Sequence, residues 1–279
     1  MREQASYSKT GTENKQKSDR KNKEACVHFV GAGPGAKDLI TVRGMELLRE
    51  TDVVIYAGSL VNPELLSYAA HAETYNSAEM TLEEVILTIQ KAVEEGKEVV
   101  RLHTGDQSVY GAVKEQMDAL EEIGISYDSC PGVSACFGAA ASLNLEYTLP
   151  GVSQTLIMTR AEGRTKVPVK ERLQALSTHG ASMAIYLSAA LSEEVQQQLL
   201  AGGYEADTPA AVVYKATWPE EKVFLCTVSS IHETMQKNGI KNFALILVGD
   251  AIKNAAYERS RLYDPNFTTA FRKRTGEKD

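Results

Sequence analysis

Three short loops hold the residues of this sequence whose types and spacing suit ligand binding. They are GAGPG at residues 31–35, TGDQSVYG at residues 104–111 and PGVSA at residues 131–135. Glycine lets the backbone turn sharply and approach a ligand without an intervening Cβ atom. Each loop follows a predicted strand, and ligands of open α/β sheets bind outside the carboxyl ends of the strands. One such loop is weak evidence, but three at one edge of a sheet predict a binding site.

The first loop is a poor match to a dinucleotide-binding loop. That fingerprint needs GxGxxG opening directly into a helix. Here the spacing is GxGxG with Pro34 inside it, and the next helical pattern begins only near Thr41. The second predicted strand ends in Tyr56, Ala57 and Gly58, without an acidic residue for a ribose. An NAD-binding oxidoreductase is therefore the less favoured alternative, and a tight turn that binds nothing is the plain structural one.

Composition restricts the class of protein. A chain of 279 residues with 43% hydrophobic residues can bury a large core. The chain has 30 Lys/Arg and 37 Asp/Glu, of which residues 1–25 hold seven and four, so the rest carries a net charge of −10. This balance argues against nucleic acid as a partner. Because no apolar run approaches the roughly 20 residues of a membrane span and no secretory signal is present, we predict a cytoplasmic protein without a membrane partner.

The cysteines and histidines predict no metal site. Cys26, Cys130, Cys136 and Cys226 lack CxxC spacing, and no histidine lies near the second and third of them. We expect reduced thiols that pack as small hydrophobic side chains. Four of the five histidines show no ligand spacing in the sequence: His28, His71, His179 and His232.

Strands and helices alternate through the first half of the chain, a pattern typical of a parallel sheet with crossover helices. The clearest helix spans residues 81–95, where Thr81 and Glu84 form a capping box and Gly96 ends the helix. For the helix that begins at Thr41, we predict a buried face. That face comprises Val42, Met45 and Leu48.

The second half predicts a smaller unit with a mixed sheet. Two neighbouring apolar runs, at 211–214 and 223–228, indicate an antiparallel pair, and helical patterns lie around 170–176, 192–200 and 229–237. We predict a disordered leader or tag at 1–25, an N-terminal α/β domain at 26–150, a C-terminal α/β domain at 151–252 and a tail at 253–279. The leader is expected to be disordered because it is polar and has no Leu, Ile, Val or Phe.

Together the three loops resemble the tetrapyrrole methylase family. The family pattern GxGPGxxxLxTxxG fits, in order, Gly31, Gly33, Pro34, Gly35, Leu39, Thr41 and Gly44. Its GDPxxYG loop matches Gly105, Asp106, Tyr110 and Gly111, with Gln107 in place of the usual proline. Its PGVSS or PGVSA segment matches residues 131–135, and the resemblance covers about residues 27–250.

The resemblance implies a fold, a cofactor and a reaction. The implied fold is a homodimer of two-domain chains, with a mostly parallel N-terminal sheet, a mixed C-terminal sheet and the active site in the cleft between the domains. The implied cofactor is S-adenosylmethionine, and the implied substrate is a tetrapyrrole (precorrin). Segments such as YAGSLVNPELL at residues 56–66 and VVYKATWPEEK at residues 212–222 resemble the branch that methylates carbon 11 of precorrin-4 or its cobalt form. Methylation of another position, in uroporphyrinogen III or precorrin-2/3, stays as the alternative.

The resemblance also implies site residues. The family's cofactor contacts fall on Pro34, Thr104, Gly105, Asp106, Val109, Ser134, Ala135, Leu187, Ala216 and, more weakly, Ala244. Asp106 and Tyr110 are the candidate catalytic residues, and no metal is expected. Asp106 is either a polar anchor for the cofactor or an aspartate that caps its own loop, and both interpretations stay open.

Other side chains have two interpretations each. Four basic residues are candidates for the substrate carboxylates, although solvated surface charge is their default role: Arg160, Arg164, Lys166 and Lys215. Trp218 packs either on the macrocycle or in a domain interface, and His103 either handles a proton or holds its loop.

Overall fold

The computed structural model describes residues 26–253 and 257–275. The predicted leader at 1–25 lies outside the described residues. Within these two ranges, every helix is too short or too polar to traverse a lipid bilayer. The described chain divides into two compact units. The first unit ends at Gly132 but omits Gly33–Leu39, and the second unit contains that loop and Val133 onward. Compactness does not test where an independently folding domain ends, so the boundary at residue 150 stays a prediction.

The first unit is built on a sheet of five parallel strands in the order β3-β2-β4-β1-β5. The strands are β1 (Val27–Gly31), β2 (Val53–Tyr56), β3 (Glu73–Asn76), β4 (Val99–His103) and β5 (Tyr127–Cys130). The sequence pattern did not predict β3. Its residues, ETYN, are mostly exposed at the sheet edge, so they carry no apolar pattern.

Three α-helices cover this sheet: α1 (Val42–Glu50), α2 (Leu82–Glu94) and α3 (Lys114–Glu122). The predicted capping box of α2 is confirmed, because Glu84 N–H donates to Thr81 Oγ1 at 3.3 Å and Thr81 N–H to the Glu84 carboxylate at 2.7 Å. The predicted buried face of α1 is wrong at Val42, which is 67% exposed. The helix instead buries Gly44 and Leu48, and Val42 lies about 200° around the helix from Gly44.

The second unit contains a mixed sheet in the order β6-β7-β10-β8-β9. Its strands are β6 (Leu156–Arg160), β7 (Ser182–Tyr186), β8 (Pro209–Tyr214), β9 (Lys222–Thr227) and β10 (Ala244–Val248). Only β6 and β7 pair in parallel, and the predicted antiparallel pair β8–β9 is confirmed. Its helices are α4 (Ala135–Leu143), α5 (Leu173–Ser177), α6 (Ser192–Ala201) and α7 (Ile231–Lys237). The predicted fold class, two α/β units with one parallel and one mixed sheet, is confirmed.

Side chains alternate between the two faces of each sheet and so build two cores per unit. In β1, Phe29 packs in the cluster that contains Leu120, whereas Val30 packs in the cluster that contains Leu48. The second sheet is covered likewise, with Met183 on one side and Ala184 on the other. Helices on both faces leave the strand ends as the exits for loops, which is where the predicted site residues lie.

Candidate functional site

The ends of three neighbouring strands meet backbone to backbone in the first unit. A Cβ atom placed on Gly31, at the end of β1, would lie 2.6 Å from Gly132 Cα and 2.7 Å from Gly105 O. Real Cβ atoms do not approach other atoms so closely, so only glycine fits at this crossing. The structure therefore brings the three loops of the sequence motif together and explains why their glycines are needed there.

The Asp106 carboxylate joins two of these loops. Oδ1 accepts hydrogen bonds from the Ser108 N–H at 2.9 Å and from the Ser108 hydroxyl, and Oδ2 accepts one from Gly132 N–H at 2.8 Å. Partial burial acts to raise the pKa of the Asp106 carboxyl, but these hydrogen bonds together outweigh burial and lower the pKa below its ordinary value. Asp106 therefore caps its loop, one of the two roles left open. An additional contact with a cofactor stays a prediction.

Gln107 holds the same loop to the sheet beneath it. Its side chain is buried, and Nε2 donates to Phe29 O at 3.3 Å and to Cys130 O at 3.2 Å. These carbonyls belong to β1 and β5. Where the family pattern has a proline, this chain thus fixes the loop with two hydrogen bonds instead of a ring.

His103 ends β4 directly below the second loop and is buried. Its ring stacks on Phe29 with a centroid distance of 6.1 Å, and no described residue bonds to Nε2. Burial, with a smaller contribution from the charge of Arg101, lowers the pKa of His103 to about 3. The ring is therefore neutral near neutral pH, which argues against the proton-handling role considered for it.

In the second unit, Pro34 and Gly35 pack against α4 and the turn after β8. A Cβ atom on Gly35 would overlap the indole of Trp218, and Ala36 N–H donates to Thr217 Oγ1 at 3.0 Å. Trp218 therefore packs on the glycine-rich loop, and its packing on the macrocycle or in a domain interface stays a prediction. Pro34 itself lies against Gly138 of α4.

Ser134, which precedes α4, is fixed by the end of β7. Its hydroxyl lies 2.8 Å from the Tyr186 hydroxyl, which also accepts a hydrogen bond from Cys136 N–H at 3.0 Å. Burial raises the pKa of Tyr186 well above its ordinary value, so this hydroxyl stays protonated. Ser134 and Ala135 are thus held by a neutral hydrogen-bond pair.

Left-handed backbone at residues other than glycine accompanies the predicted cofactor contacts. The described residues contain seven such positions: Tyr110, Ala112, Asn144, Leu187, Lys215, Thr217 and Phe243. Leu187 is itself a predicted contact, and four others are directly next to one, since Tyr110 follows Val109, Lys215 and Thr217 flank Ala216, and Phe243 precedes Ala244. Each such residue costs about 1–3 kcal/mol, and such strain concentrates at functional sites. Five of the seven left-handed residues are therefore predicted cofactor contacts or direct sequence neighbours of one.

Comparison with known proteins identifies the family. The tetrapyrrole (corrin/porphyrin) methylases match residues 26–232. The chain belongs to this family. A cobalt-precorrin-4 C(11)-methyltransferase of Methanocaldococcus jannaschii is 52% identical over 248 residues, which cover 88% of this chain and 96% of that protein. A precorrin-4 C(11)-methyltransferase of a Sinorhizobium species is 43% identical over 250 residues, 89% of this chain and 98% of that protein.

A solved structure shows the same fold. The X-ray structure of a cobalamin biosynthetic enzyme, cobalt precorrin-4 methyltransferase, matches with a TM-score of 0.80 and 45% identity, covering 82% of this chain and 96% of that one. The resemblance read from the three loops is therefore confirmed.

The predicted cofactor contacts of this methylase differ in exposure. Pro34, Gly105, Ser134 and Ala216 are buried, and Leu187 is 63% exposed. The half-buried ones are Thr104, Asp106, Val109, Ala135 and Ala244. Small or buried side chains offer a ligand mainly their backbone groups. Which of these residues contact a cofactor stays a prediction.

Two of the four basic candidates have structural partners. The Arg160 guanidinium donates to the carbonyls of its own loop, at Thr165 (3.1 Å) and Lys166 (2.9 Å) among others. The Lys215 ammonium lies 5.0 Å from the Trp218 ring centroid and 3.7 Å from the Glu220 carboxylate. Arg164 and Lys166 are exposed. A role for any of the four in binding substrate carboxylates stays a prediction.

Sequence patterns did not predict a cluster of side chains at the amino-terminal ends of β1 and β5. Potential metal-ligand atoms of Cys26, His28 and Asp128 all lie within 4.8 Å of one another. Cys26 and His28 are two residues apart, but Asp128 is 100 residues from His28. Only the parallel pairing of β1 with β5 joins them, and no motif signals it.

Proposed function

We propose that this chain is an S-adenosylmethionine-dependent methyltransferase that methylates carbon 11 of precorrin-4 or cobalt-precorrin-4 in cobalamin biosynthesis. The observation that carries this proposal is the 52% identity with the Methanocaldococcus jannaschii enzyme over nearly its whole length. The proposal includes both forms of the substrate, because relatives named for cobalt-precorrin-4 and for precorrin-4 both match.

The residues present fit such a cofactor. A ligand with an amino-acid group, a ribose and a base needs many hydrogen-bonding partners in little space. Loops in which side chains are absent or small supply them from the backbone, and the crossing at Gly31, Gly105 and Gly132 keeps the loops close. When bound, S-adenosylmethionine supplies an electrophilic methyl group. We propose that it is contacted by the residues that the resemblance implies: Pro34, Thr104, Gly105, Asp106, Val109, Ser134, Ala135, Leu187, Ala216 and Ala244.

The task of the protein in this reaction is positioning. The electron-rich enamine carbon of the macrocycle is the nucleophile, so no serine, cysteine or metal of the chain has to be activated. Holding reactants in attack geometry contributes up to about 7–11 kcal/mol in favourable cases. The hydrogen bonds of Asp106 to Gly132 and of Gln107 to two strands keep the second loop rigid, which this mechanism requires.

Two experiments test the proposal. Calorimetric titration should show tight binding of S-adenosylhomocysteine and none of NAD, whereas binding of NAD alone would favour the oxidoreductase alternative. Incubation with defined precorrin intermediates and labelled cofactor, followed by carbon NMR, should locate the new methyl group at carbon 11. A methyl group at another carbon, or turnover of uroporphyrinogen III or precorrin-2/3 in preference to precorrin-4, would contradict the assignment of the ring position.

Asp106 and Tyr110 are proposed to act at the reacting centre. For Asp106→Asn we expect weaker binding of S-adenosylhomocysteine and lower turnover. Ser108→Ala is the matched control, because it removes a hydrogen bond to the same carboxylate but leaves its charge. If both variants lose the same activity, Asp106 has only the capping role. Tyr110→Phe tests the phenol in the same assays, and unchanged kinetics would remove it from the mechanism.

We further propose a cytoplasmic homodimer, which the family resemblance supports. Size-exclusion chromatography with light scattering should give twice the mass of the chain at assay concentrations. A monomer with full activity would contradict this proposal.

A further inference from the structure

In the parallel sheet of the first unit, a second cluster of polar side chains lies at the amino-terminal ends of the strands. Cys26 precedes β1 and His28 is in it, two residues apart and therefore on the same side of the strand. Asp128 of β5 is the register partner of His28. Ligand atoms of these three residues lie within 4.8 Å of one another, although all three loops described above leave the opposite edge of the sheet.

A second carboxylate completes the surroundings of His28. The imidazole is buried, with Nδ1 2.7 Å from Asp128 Oδ1 and Nε2 3.3 Å from Glu98 Oε2. The same Glu98 oxygen accepts a hydrogen bond from Cys26 N–H at 3.2 Å. One thiol, one imidazole and two carboxylates thus converge on a small volume at the junction of β1 with its two neighbouring strands.

We propose that Cys26, His28 and Asp128 bind a divalent transition-metal ion, with zinc as the best match. Sulfur, imidazole nitrogen and carboxylate oxygen are the ligands that zinc takes in proteins, usually with four-coordinate geometry. Glu98 serves in one of two ways. It either accepts a hydrogen bond from the second ring nitrogen of His28, as carboxylates beside metal-bound histidines do, or it becomes the fourth ligand.

The site has a structural role in this arrangement. It joins β1 to β5 through Asp128, and Glu98 adds the residue that immediately precedes β4. Because the ion binds the folded first unit, the free energy of unfolding should increase with the logarithm of the free ion concentration once that concentration exceeds the Kd. Since the cluster lies at the edge of the sheet away from the glycine-bearing loops, the proposal does not depend on the methyltransferase assignment.

The test uses the full chain, freed of metal by a chelator and then titrated with zinc chloride by calorimetry. We expect one zinc ion per chain, with protons released on binding, and a higher melting temperature in the presence of zinc. Cys26→Ser and Asp128→Asn should each weaken zinc binding at least about tenfold, and Glu98→Gln about 10–100-fold. Cys226→Ser, at a half-buried cysteine of the second unit, is the matched control and should bind like the unmodified chain.

Cobalt(II) provides a second measurement that does not depend on stability. Cobalt bound to a thiolate gives a charge-transfer absorption, which should be present in the unmodified chain and in Cys226→Ser and absent in Cys26→Ser. Circular dichroism checks that each variant is folded. Zinc binding that is absent, or equally strong in Cys26→Ser and the unmodified chain, would overturn the proposal. Residues 1–25 contain neither His nor Cys, so they do not supply such ligands instead.

Discussion

The two units support their predicted cofactor-binding segments in different ways. In the first unit, glycines allow the loops to cross. Gly31 and Gly132 leave no space for a Cβ atom, and Gly105 has a positive φ of 60°. In the second unit, the corresponding turns use larger residues in left-handed backbone, with Leu187 at φ 53° and Lys215 at φ 48°. Tyr110 and Ala112 show that the first unit also contains such residues, directly after its second loop.

This difference determines which of the predicted cofactor-binding segments can be recognised in the sequence. A glycine that is needed for close approach stands out in the sequence, so the first unit's loops were found as motifs. A leucine or lysine in left-handed backbone looks like any other, and its conformation is held by the surrounding fold. Substitutions can perturb one kind of segment at a time.

The largest effect is expected for Gly132→Ala. The new Cβ atom would lie 2.7 Å from Gly31 Cα, so the loops at the ends of β1, β4 and β5 must separate. A displacement of about 1 Å in such a site costs roughly 100-fold in rate. We expect methyl transfer to fall by about this factor in steady-state assays.

Gly163→Ala is the matched control in the second unit. Its new methyl group would meet only the end of the Leu191 side chain, at 3.3 Å. Its turnover should stay near that of the unmodified chain. Equal losses in the two variants would show that the crossing of the first unit has no special role.

Low pH should destabilise the folded chain through His103, at the carboxyl end of β4. The folded-state pKa of His103, about 3, lies below its ordinary value of 6.5, so the unfolded chain binds the proton more readily. The free energy of unfolding therefore decreases as the pH falls from about 6.5 toward 3, by about 2 kcal/mol at pH 5. His103→Phe, which keeps a ring against Phe29, should flatten the profile of melting temperature against pH in this range. An unchanged profile would assign the acid sensitivity to other groups.

Gln107→Ala should give a smaller loss. The variant removes both hydrogen bonds that hold the second loop to β1 and β5. We expect the free energy of unfolding to decrease by about 1.5 kcal/mol, measured by urea denaturation. Gln107→Pro introduces the usual family residue and tests whether a rigid backbone can replace the two hydrogen bonds. A fully stable proline variant would mean that backbone rigidity alone holds the loop.

The smallest effect, with opposite sign, is expected for Leu187→Gly in the second unit. Glycine relieves the left-handed strain but makes the unfolded chain more flexible, for a net gain of about 1 kcal/mol in the free energy of unfolding. Leu187→Ala keeps the strain and should not gain stability. Binding of S-adenosylhomocysteine should weaken in both, if the exposed side chain contacts it. A destabilised glycine variant would show that the turn at Leu187 is not strained.

Much of the fold was predictable because its signals are local. The capping box of α2 and the close β8–β9 pair involve residues near one another in the chain. The family resemblance likewise rests on short, specific loops. Strand β3 was not predictable because its exposed edge residues lack an apolar pattern, and Val42 of α1 was misassigned because three apolar residues at helical spacing do not show which side meets the sheet.

The site was predictable only in part, for the same reason. The loop glycines were visible, but the contact of Asp106 with Gly132 and the two contacts of Gln107 depend on which strands become neighbours. The proximity of Asp128 to His28 depends on the pairing of β1 with β5. Such contacts join residues 23 to 100 positions apart, and one sequence gives no measure of them.

The packing of Trp218 on Gly35 has a practical consequence. The chain contains one tryptophan, so its intrinsic indole fluorescence reports on a single place. That place is the glycine-rich loop beside Pro34, with the Lys215 ammonium over the ring. A ligand that reaches this loop would change the polarity around the indole, so emission spectra recorded with S-adenosylhomocysteine test, without any added label, whether the cofactor binds beside Pro34.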